Sequence, residues 1–203
     1  VKTYIAPNQG SIRRTLDFVS FMATAFISGL FENRPDVIVA TSPQFFAAVG
    51  GWGLGFVRRL PFVFELGDLW PASIVAVGAM KHNFFIRIVE YLELFLYHHS
   101  AAVVALTAAF KVNLVSRGIQ PEKIAIVLNG VDLWRYGPRP KDKYLCNAWQ
   151  INGKFVIGYI GTHGMAHALT NILDTAQILQ NRSNILFLFV GAGAEKLKLM
   201  RDA

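Results

Sequence analysis

The seven residues AAVVALT, at positions 101–107, decide the fold class. Ala101 to Leu106 is a short run of small and β-branched residues, which is typical of a buried strand. Thr107 then supplies an N-cap for a helix, and Gly118 is a suitable residue to end it. A second apolar run, over 124–128, follows the helix. A strand that leads through a helix to a further strand indicates a parallel sheet.

The same alternation continues on both sides of this unit. Strands are predicted over 36–40, 61–66, 155–160 and 185–190, and helices over 44–59, 83–98 and about 166–180. In the helix over 83–98, Phe84, Ile88, Leu92 and Phe95 recur at helical spacing. We therefore expect an α/β fold, a Rossmann-like parallel sheet with helices on both faces, followed by the start of a second Rossmann-like domain.

Residues 129–153 interrupt this rhythm, because they are rich in glycine, proline, asparagine and aspartate. They predict a first domain over 1–132, an interdomain linker over 133–153 and a second domain over 154–203. Two strands cannot close a core, and residues 1–35 lack a first strand with a glycine-rich turn. Both domains are therefore expected to be incomplete, and the chain to be a piece of a longer protein.

The net charge of +7, with arginine pairs at 13–14 and 58–59, suits an anionic partner such as phospholipid headgroups or a diphosphate. A solvated basic surface explains the charge equally well. Nucleic acid is not expected, since no recognition motif accompanies the charge. Cys146 is the single cysteine, which excludes a disulfide framework and favours the cytosol. The apolar run 18–31 is too interrupted to span a membrane and predicts a helix that is buried or lies against a membrane surface.

The stretch ELGDLWP, at 65–71, stands at the end of a predicted strand. Ligands bind at that end of the strands in open parallel sheets. Asp68 and Glu65 could accept hydrogen bonds or a proton from sugar hydroxyls, and Trp70 offers a face on which a sugar can stack. Alternatively, Asp68 caps the next helix and Trp70 fills the interior.

Two glycine-containing turns follow the strands of the second domain, GYIGTHG at 158–164 and GAGAE at 191–195. Glycines let backbone N–H groups approach a phosphate, and a helix N-terminus favours negative charge. Neither turn is a complete phosphate-binding fingerprint. The first could equally be an ordinary turn into a helix, and the second is better explained as a helix start.

The five histidines do not predict a metal site. His163 and His167 have a suitable spacing, but no third ligand lies nearby in the sequence, and His98 and His99 suit a helix C-terminus. His82 stands alone. We therefore expect no bound metal.

The ordered set of these motifs resembles the family-4 glycosyltransferases of the GT-B fold. It is most similar to the bacterial branch that builds surface polysaccharide, which includes N-acetyl-fucosamine transfer in O-antigen synthesis. The similar stretches occur in family order over nearly the whole chain, at 34–40, 65–71, 103–107, 121–124, 129–132 and 158–164.

The resemblance implies two Rossmann-like domains with a cleft between them, an acceptor held by the first and a nucleotide-diphosphate sugar held by the second. It implies a hexosyltransferase-type enzyme that moves a sugar, with retention, from a UDP-sugar to a glycan or lipid-linked acceptor, and that needs no cofactor. The basic first domain and the apolar run 18–31 suggest, in addition, a cytoplasmic protein in peripheral contact with the anionic inner face of the plasma membrane. Asp68 would be catalytic, Glu65 and Trp70 would lie on the acceptor side, and the donor would be bound by Gly161, Thr162, His163, Gly164, Gly191 and Gly193.

Two departures from the family pattern limit what carries over. Many relatives have a histidine where this chain has Gly67, and the family's paired glutamates would lie beyond Ala203. The chain by itself is therefore expected to be inactive. Two other functions stay open at this point, a different Rossmann-like nucleotide-sugar enzyme such as an epimerase or oxidoreductase, and a non-catalytic basic binding module.

Overall fold

The computed structural model describes residues 1, 3–4, 11–42, 44–76, 78 and 83–203, without the side chains of residues 11, 12, 14 and 74. The chain divides into two compact units, Val1–Gly130 and Val131–Ala203. Residues 133–153, predicted as a linker, belong to the second unit and contain a short helix over Lys143–Ala148. That helix begins because the Asp142 side chain accepts a hydrogen bond from the backbone N–H of Leu145.

The first unit contains a four-stranded parallel sheet with the strand order β1-β2-β3-β4. The register places Phe64 beside Ala40 on one side and Val103 on the other. The parallel α/β architecture expected from the sequence is thereby confirmed. In chain order the elements are α1 (Ser11–Phe31), β1 (Ile38–Ser42), α2 (Phe45–Arg58), β2 (Phe62–Leu66), α3 (Ala72–Ala76), α4 (Phe84–His99), β3 (Ala102–Ala105), α5 (Ala108–Ser116) and β4 (Ile124–Ile126).

Side-chain caps explain where the helices of this unit begin. The side chains of Gln44, Asn83 and Thr107 each accept a hydrogen bond from the backbone N–H three residues later, at the start of α2, α4 and α5. The N-cap predicted for Thr107 is therefore confirmed. After α5, Gly118 adopts a φ of +91°, a conformation that glycine tolerates and that stops the helix.

One face of the sheet carries the core. Phe62, Phe64 and Leu66 are buried there, packed with side chains of α2, α4 and α5, including the ring of Tyr97 at 5.1 Å from that of Phe64. Each helix connects one parallel strand to the next, and the strands follow one another across the sheet in a single direction. Right-handed crossovers therefore put these helices on a common face. The opposite face, which we also expected to be covered, carries the exposed Val39, Thr41 and Glu65.

Helix α4 turns a different face to the core than its apolar stripe suggests. The buried residues are Ile86, Val89, Glu93, Leu96 and Tyr97. Of the predicted stripe, Phe84 and Ile88 are exposed on the far side of the helix, whereas Leu92 and Phe95 are half-buried and pack against the core. The helix is confirmed, but its two faces are both apolar, so periodicity alone does not identify the inner one.

A buried polar network joins α4 to the end of α5. Tyr97 Oη donates a hydrogen bond to Glu93 Oε1 over 2.6 Å, and Arg117 Nη2 donates to Glu93 Oε2 over 2.5 Å. Burial raises the pKa of the Glu93 carboxyl above its usual range, although both hydrogen bonds act to lower it. Burial likewise raises the pKa of Tyr97, so its hydroxyl remains protonated. The network therefore places a carboxylate in the core with both of its oxygens paired.

Helix α1 packs along α2 on the side away from α4. Arg58 of α2 donates a hydrogen bond of 2.6 Å to the carbonyl oxygen of Gly29 near the end of α1. Within α2, Gly51 lies directly over Ala40 and Phe62, so its lack of a side chain brings the helix close to the sheet, as the glycine content of α2 predicts. None of the described helices combines the length and the hydrophobicity that crossing a bilayer requires.

The second unit contains two parallel strands, β5 (Phe155–Ile160) and β6 (Ile185–Val190), which have the predicted bounds. The helix predicted over about 166–180 is interrupted. A 3₁₀ turn over Met165–His167 comes first, and Ala168 then adopts a φ of +45°, which a regular helix cannot contain. The helices of this unit are α6 (Lys143–Ala148), α7 (Thr170–Ile178) and α8 (Lys196–Asp202).

Candidate functional site

Ser42, the last residue of β1, organises the carboxyl edge of the first sheet. Its side chain is buried, and its Oγ accepts hydrogen bonds from the backbone N–H groups of Gly67 at 3.1 Å and Asp68 at 3.3 Å. The same hydroxyl donates to the carbonyl oxygen of Asp68 over 3.1 Å. A single side chain therefore holds the loop after β2 against the end of β1.

Gly67 is required by this arrangement. A Cβ atom at this position would lie 2.8 Å from the carbonyl oxygen of Ser42, which is backbone and cannot turn aside. A histidine at this position would need the loop to shift. The absence of histidine at this position thus has a steric reason in this chain.

The three residues predicted for the acceptor side lie in different surroundings. The half-buried Asp68 accepts a hydrogen bond from Ser73 Oγ at 3.0 Å through its Oδ2 atom. Trp70 packs on the buried Phe45, with ring centroids 5.0 Å apart. Glu65 is exposed and lies within β2, on the face opposite Phe64 and Leu66. Asp68 thus has its carboxylate oriented at the sheet edge, whereas Trp70 contributes at least part of its surface to packing.

In the second unit the two glycine-containing turns lie side by side. The N–H of Gly161 donates to the carbonyl oxygen of Val190 over 3.0 Å, and the N–H of His163 donates to that of Ala192 over 2.9 Å. Glu195, just before α8, donates its N–H to the carbonyl oxygen of His163 over 3.0 Å. The parallel pairing of β5 and β6 therefore continues through both turns and makes one structure of them.

Gly191 and Gly193 are the residues that allow this pairing. A Cβ at position 191 would overlap the carbonyl oxygen of Gly161, and a Cβ at 193 would overlap that of His163. Both contacts are with backbone, so no side-chain movement can relieve them. Sequence reasoning gave these glycines a nucleotide-binding role; the structure adds a packing reason for their presence.

His163 is the buried polar residue of the donor turns. Its side chain is 4 % exposed and lies between the rings of Tyr159 and Phe189, at centroid distances of 6.0 and 6.3 Å. Neither Nδ1 nor Nε2 has a hydrogen-bond partner among the residues that the structure describes. Since buried polar atoms are rarely left unpaired, this imidazole is the strongest candidate in the unit for contact with a ligand.

The remaining donor-side residues form the exposed rim of the first turn. Thr162 is exposed, and its carbonyl oxygen accepts a hydrogen bond from Tyr159 Oη over 2.8 Å. Gly164 accepts the N–H of His167 through its carbonyl oxygen and so starts the 3₁₀ turn. Because that turn intervenes, the N-terminus of α7 does not directly follow Gly161, contrary to the strand-turn-helix expectation.

No metal centre is apparent in the described part of the chain, where no three histidine, cysteine, aspartate or glutamate residues come together in a way that could hold an ion. His163 and His167 both lie against Tyr159, which accounts for their spacing. His82, also considered as a ligand, lies outside the described residues.

Comparison with known proteins gives the family. The family model described as Glycosyltransferase Family 4 matches residues 2–135, about two thirds of the chain. The chain belongs to glycosyltransferase family 4. No curated protein sequence matches it.

Solved structures share the fold of this family-4 chain. HepE from Anabaena, in complex with UDP-glucose, is 18 % identical with a TM-score of 0.70, over 95 % of this chain and 50 % of HepE. TarM is 12 % identical with a TM-score of 0.61, over 97 % of this chain and 37 % of TarM. The chain therefore spans about half the length of HepE. These identities are low, so the likeness supports the α/β GT-B fold and nothing finer.

Two kinds of residue at the candidate site were not predicted from the sequence. Ser42 and Ser73 bind the Asp68 loop, but a serine after a strand has no distinctive spacing. Tyr159 was quoted within the glycine turn without a role, although an aromatic residue two positions before Gly161 can reach the turn from the strand. The position of Tyr159 in the sequence could have revealed its contact with the turn, whereas the positions of the two serines could not have revealed theirs.

Proposed function

We propose that this protein transfers a sugar from a UDP-sugar to a glycan or lipid-linked acceptor, with retention of the anomeric configuration, in cell-surface polysaccharide biosynthesis. The observation that carries the proposal is the family-4 match over residues 2–135. HepE, which has the same fold, has been solved with UDP-glucose and with UDP, and this supports a UDP-sugar as the donor here. A branch similar to N-acetyl-fucosamine transfer in O-antigen synthesis is the finer form of the proposal.

The donor-side turns have the chemistry that a diphosphate needs. Gly161 directly precedes the exposed Thr162 and Gly164 follows two residues later, so a phosphate meets few side chains when it approaches this stretch of backbone. The imidazole of His163 has two nitrogens without a partner among the described residues, at least one of which can donate a hydrogen bond. We propose that these residues, with Gly191 and Gly193 holding the turns together, bind the donor without a metal ion.

On the acceptor side we propose Asp68 as the catalytic residue. Its carboxylate is oriented by Ser73 and its backbone is fixed by Ser42, so it can accept a hydrogen bond or a proton from the attacking hydroxyl. Glu65 and Trp70 would contact the acceptor.

The proposed place of action is the cytoplasmic face of the membrane. A lipid-linked acceptor would keep the reaction at that surface, and the basic net charge favours an anionic leaflet. The long helix α1, with exposed Leu16, Ile27 and Phe31, is one element that could contact it.

Turnover of the full-length protein tests the proposal. UDP release and glycan product are measured with a panel of sugar nucleotides and lipid-linked acceptors. We expect Asp68→Asn to lower kcat by about 100-fold, the lower range for a lost acid–base group, with donor affinity unchanged. His163→Phe should instead weaken donor binding, while His99→Phe, in the first unit, should leave donor binding as it is. Absence of turnover and of binding with every sugar nucleotide would contradict the proposal.

A further inference from the structure

Helix α4 carries a row of apolar side chains that points away from the core. Phe84, Ile88 and Tyr91 follow one another at helical spacing, on the side opposite the buried Leu96 and its neighbours. The half-buried Phe95 continues this spacing but also packs against the core. Phe84 is 78 % exposed and Tyr91 is 76 % exposed. Large aromatic residues are seldom this exposed in a group, so the row indicates a surface that meets something other than water.

Helix α2 extends this row into a wider surface. The ring of Trp52 lies 4.9 Å from that of Phe95 and 5.8 Å from that of Phe56, which is itself 74 % exposed. Trp52 of α2 therefore joins Phe95 of α4 to the exposed Phe56. We call it the α2–α4 aromatic face, and it consists of Trp52, Phe56, Phe84, Ile88, Tyr91 and Phe95.

The charges around this face are mainly positive. Arg87 is exposed one residue before Ile88, and Arg59 and His99 line a groove between the C-terminal ends of α2 and α4. The sequence of α2 contains no acidic residue. In α4, Glu93 is buried and paired with Arg117, and Glu90 is half-buried on the flank of the helix. Aromatic side chains bordered by arginines match the boundary of an anionic bilayer, where the rings enter the headgroup layer and the arginines meet phosphates.

We propose that the α2–α4 aromatic face docks the protein on an anionic lipid bilayer. The partner is the lipid surface itself, recognised by its apolar boundary and its negative charge. Because α4 runs antiparallel to β2 and β3, the face extends along the whole sheet, from the edge that bears Asp68 to the edge that bears Arg59. Docking would thus leave the carboxyl edge of the sheet beside the membrane.

The inference rests on the membrane contact proposed above and assigns it to a surface other than α1. Its failure is distinguishable from failure of the glycosyltransferase proposal, since transfer to a water-soluble acceptor needs no bilayer. An enzyme that is active on a soluble acceptor but does not bind vesicles would retain its function and refute the docking surface.

Vesicle flotation of the full-length protein tests the surface directly. The vesicles contain phosphatidylcholine alone or phosphatidylcholine with phosphatidylglycerol. We expect the wild type to float only with the anionic vesicles, and Phe84→Ser with Tyr91→Ser to lower that binding at least about tenfold, because two exposed rings leave the interface. Val112→Ser, which removes an exposed side chain of α5, is the matched control and should bind like the wild type.

The charge is tested by Arg59→Gln and Arg87→Gln. Each neutralisation should weaken binding to anionic vesicles about fivefold, and raised salt should do the same to the wild type. Equal binding of the wild type to neutral and anionic vesicles would overturn the role of the arginines.

Three other results would overturn the docking surface as a whole. The first is loss of binding in Ile27→Ser of α1 with none in the α4 variants. The second is a wild-type dimer that the α4 variants convert to a monomer in light scattering, which would assign the face to a second copy. The third is a lower unfolding midpoint for Phe84→Ser than for Val112→Ser, which would mean that other protein covers the face.

Discussion

The carboxyl edges of the two sheets are built by different means. In the first unit a buried side chain, Ser42, reaches the loop of Gly67 and Asp68 with three hydrogen bonds. In the second unit the backbone of one turn pairs with the backbone of the other, and Gly191 makes room for it. The first edge depends on a hydroxyl group and the second on the absence of side chains.

This difference matters for what each edge can tolerate. A hydrogen-bonding side chain can be removed at the cost of a few unpaired groups, whereas an added Cβ atom against backbone displaces the chain itself. The first unit also has a large apolar core beneath its edge, while few buried side chains are found in the described part of the second unit. The donor-side turns should therefore be the more sensitive of the two.

Gly191→Ala should have the largest effect. The new Cβ would overlap the Gly161 carbonyl, and we expect a loss of more than about 3 kcal/mol in the free energy of unfolding together with loss of donor binding. Urea unfolding with amide exchange in β5 and β6 measures the loss. Gly158→Ala is the control, because a Cβ there meets nothing within 4 Å. Equal losses in both variants would contradict the packing role of Gly191.

Arg117→Met should come next and should depend on pH. It leaves the buried carboxylate of Glu93 without its cationic partner, although the hydrogen bond from Tyr97 remains, at a cost of about 3 kcal/mol near neutral pH. Burial raises the pKa of Glu93, and the charge and hydrogen bond of Arg117 lower it. Without Arg117 the pKa of Glu93 in the folded variant is therefore higher still. The pKa of Glu93 in the folded variant lies above its pKa in the unfolded chain. The variant therefore loses stability as pH rises from the unfolded-state pKa through the folded-state pKa, and regains it as pH falls.

Urea unfolding of the Arg117→Met variant at several pH values checks this expectation. The deficit relative to the wild type should shrink on acidification, and adding Glu93→Gln should remove that pH dependence. Arg182→Met, at an exposed position, should show neither effect. A deficit that stays constant with pH would mean that lost packing, and not an unpaired charge, causes the instability.

Ser42→Ala should have the smallest effect of the three. It leaves the N–H groups of Gly67 and Asp68 without their acceptor, which we expect to cost about 1.5 kcal/mol. Transfer activity should fall through kcat, because the Asp68 loop loses its anchor. The exposed Ser116→Ala is the control for stability. Wild-type stability and kcat in Ser42→Ala would show that the loop holds itself in place.

Much of the fold could be predicted from the sequence, because local signals agreed with it. The strands 155–160 and 185–190 have their predicted bounds, and Thr107 caps α5 as its position before an apolar run indicates. The inner face of α4 could not be predicted. Glu93 and Tyr97 look like surface residues until Arg117, which lies 24 residues away in the chain, is known to pair with one of them.

The candidate site was predictable in position more than in detail. The strand ends followed by glycine or aspartate lie at the carboxyl edges of the two sheets, as the alternation of strands and helices predicts. The side-by-side contact of the turns at 161–164 and 190–195 was not predictable, because register between β5 and β6 is a long-range property. The roles of Asp68 and of the donor-side residues stay predictions.

The strand order of the first sheet also affects how the chain can assemble. Each of β1 to β4 lies beside the strand that precedes or follows it in the sequence. A chain that leaves the ribosome from its N-terminal side can therefore add β2 to β1, β3 to β2 and β4 to β3 as each emerges, and no pair already formed has to open for a later strand. The strand order of this sheet thus allows assembly to follow the order of synthesis.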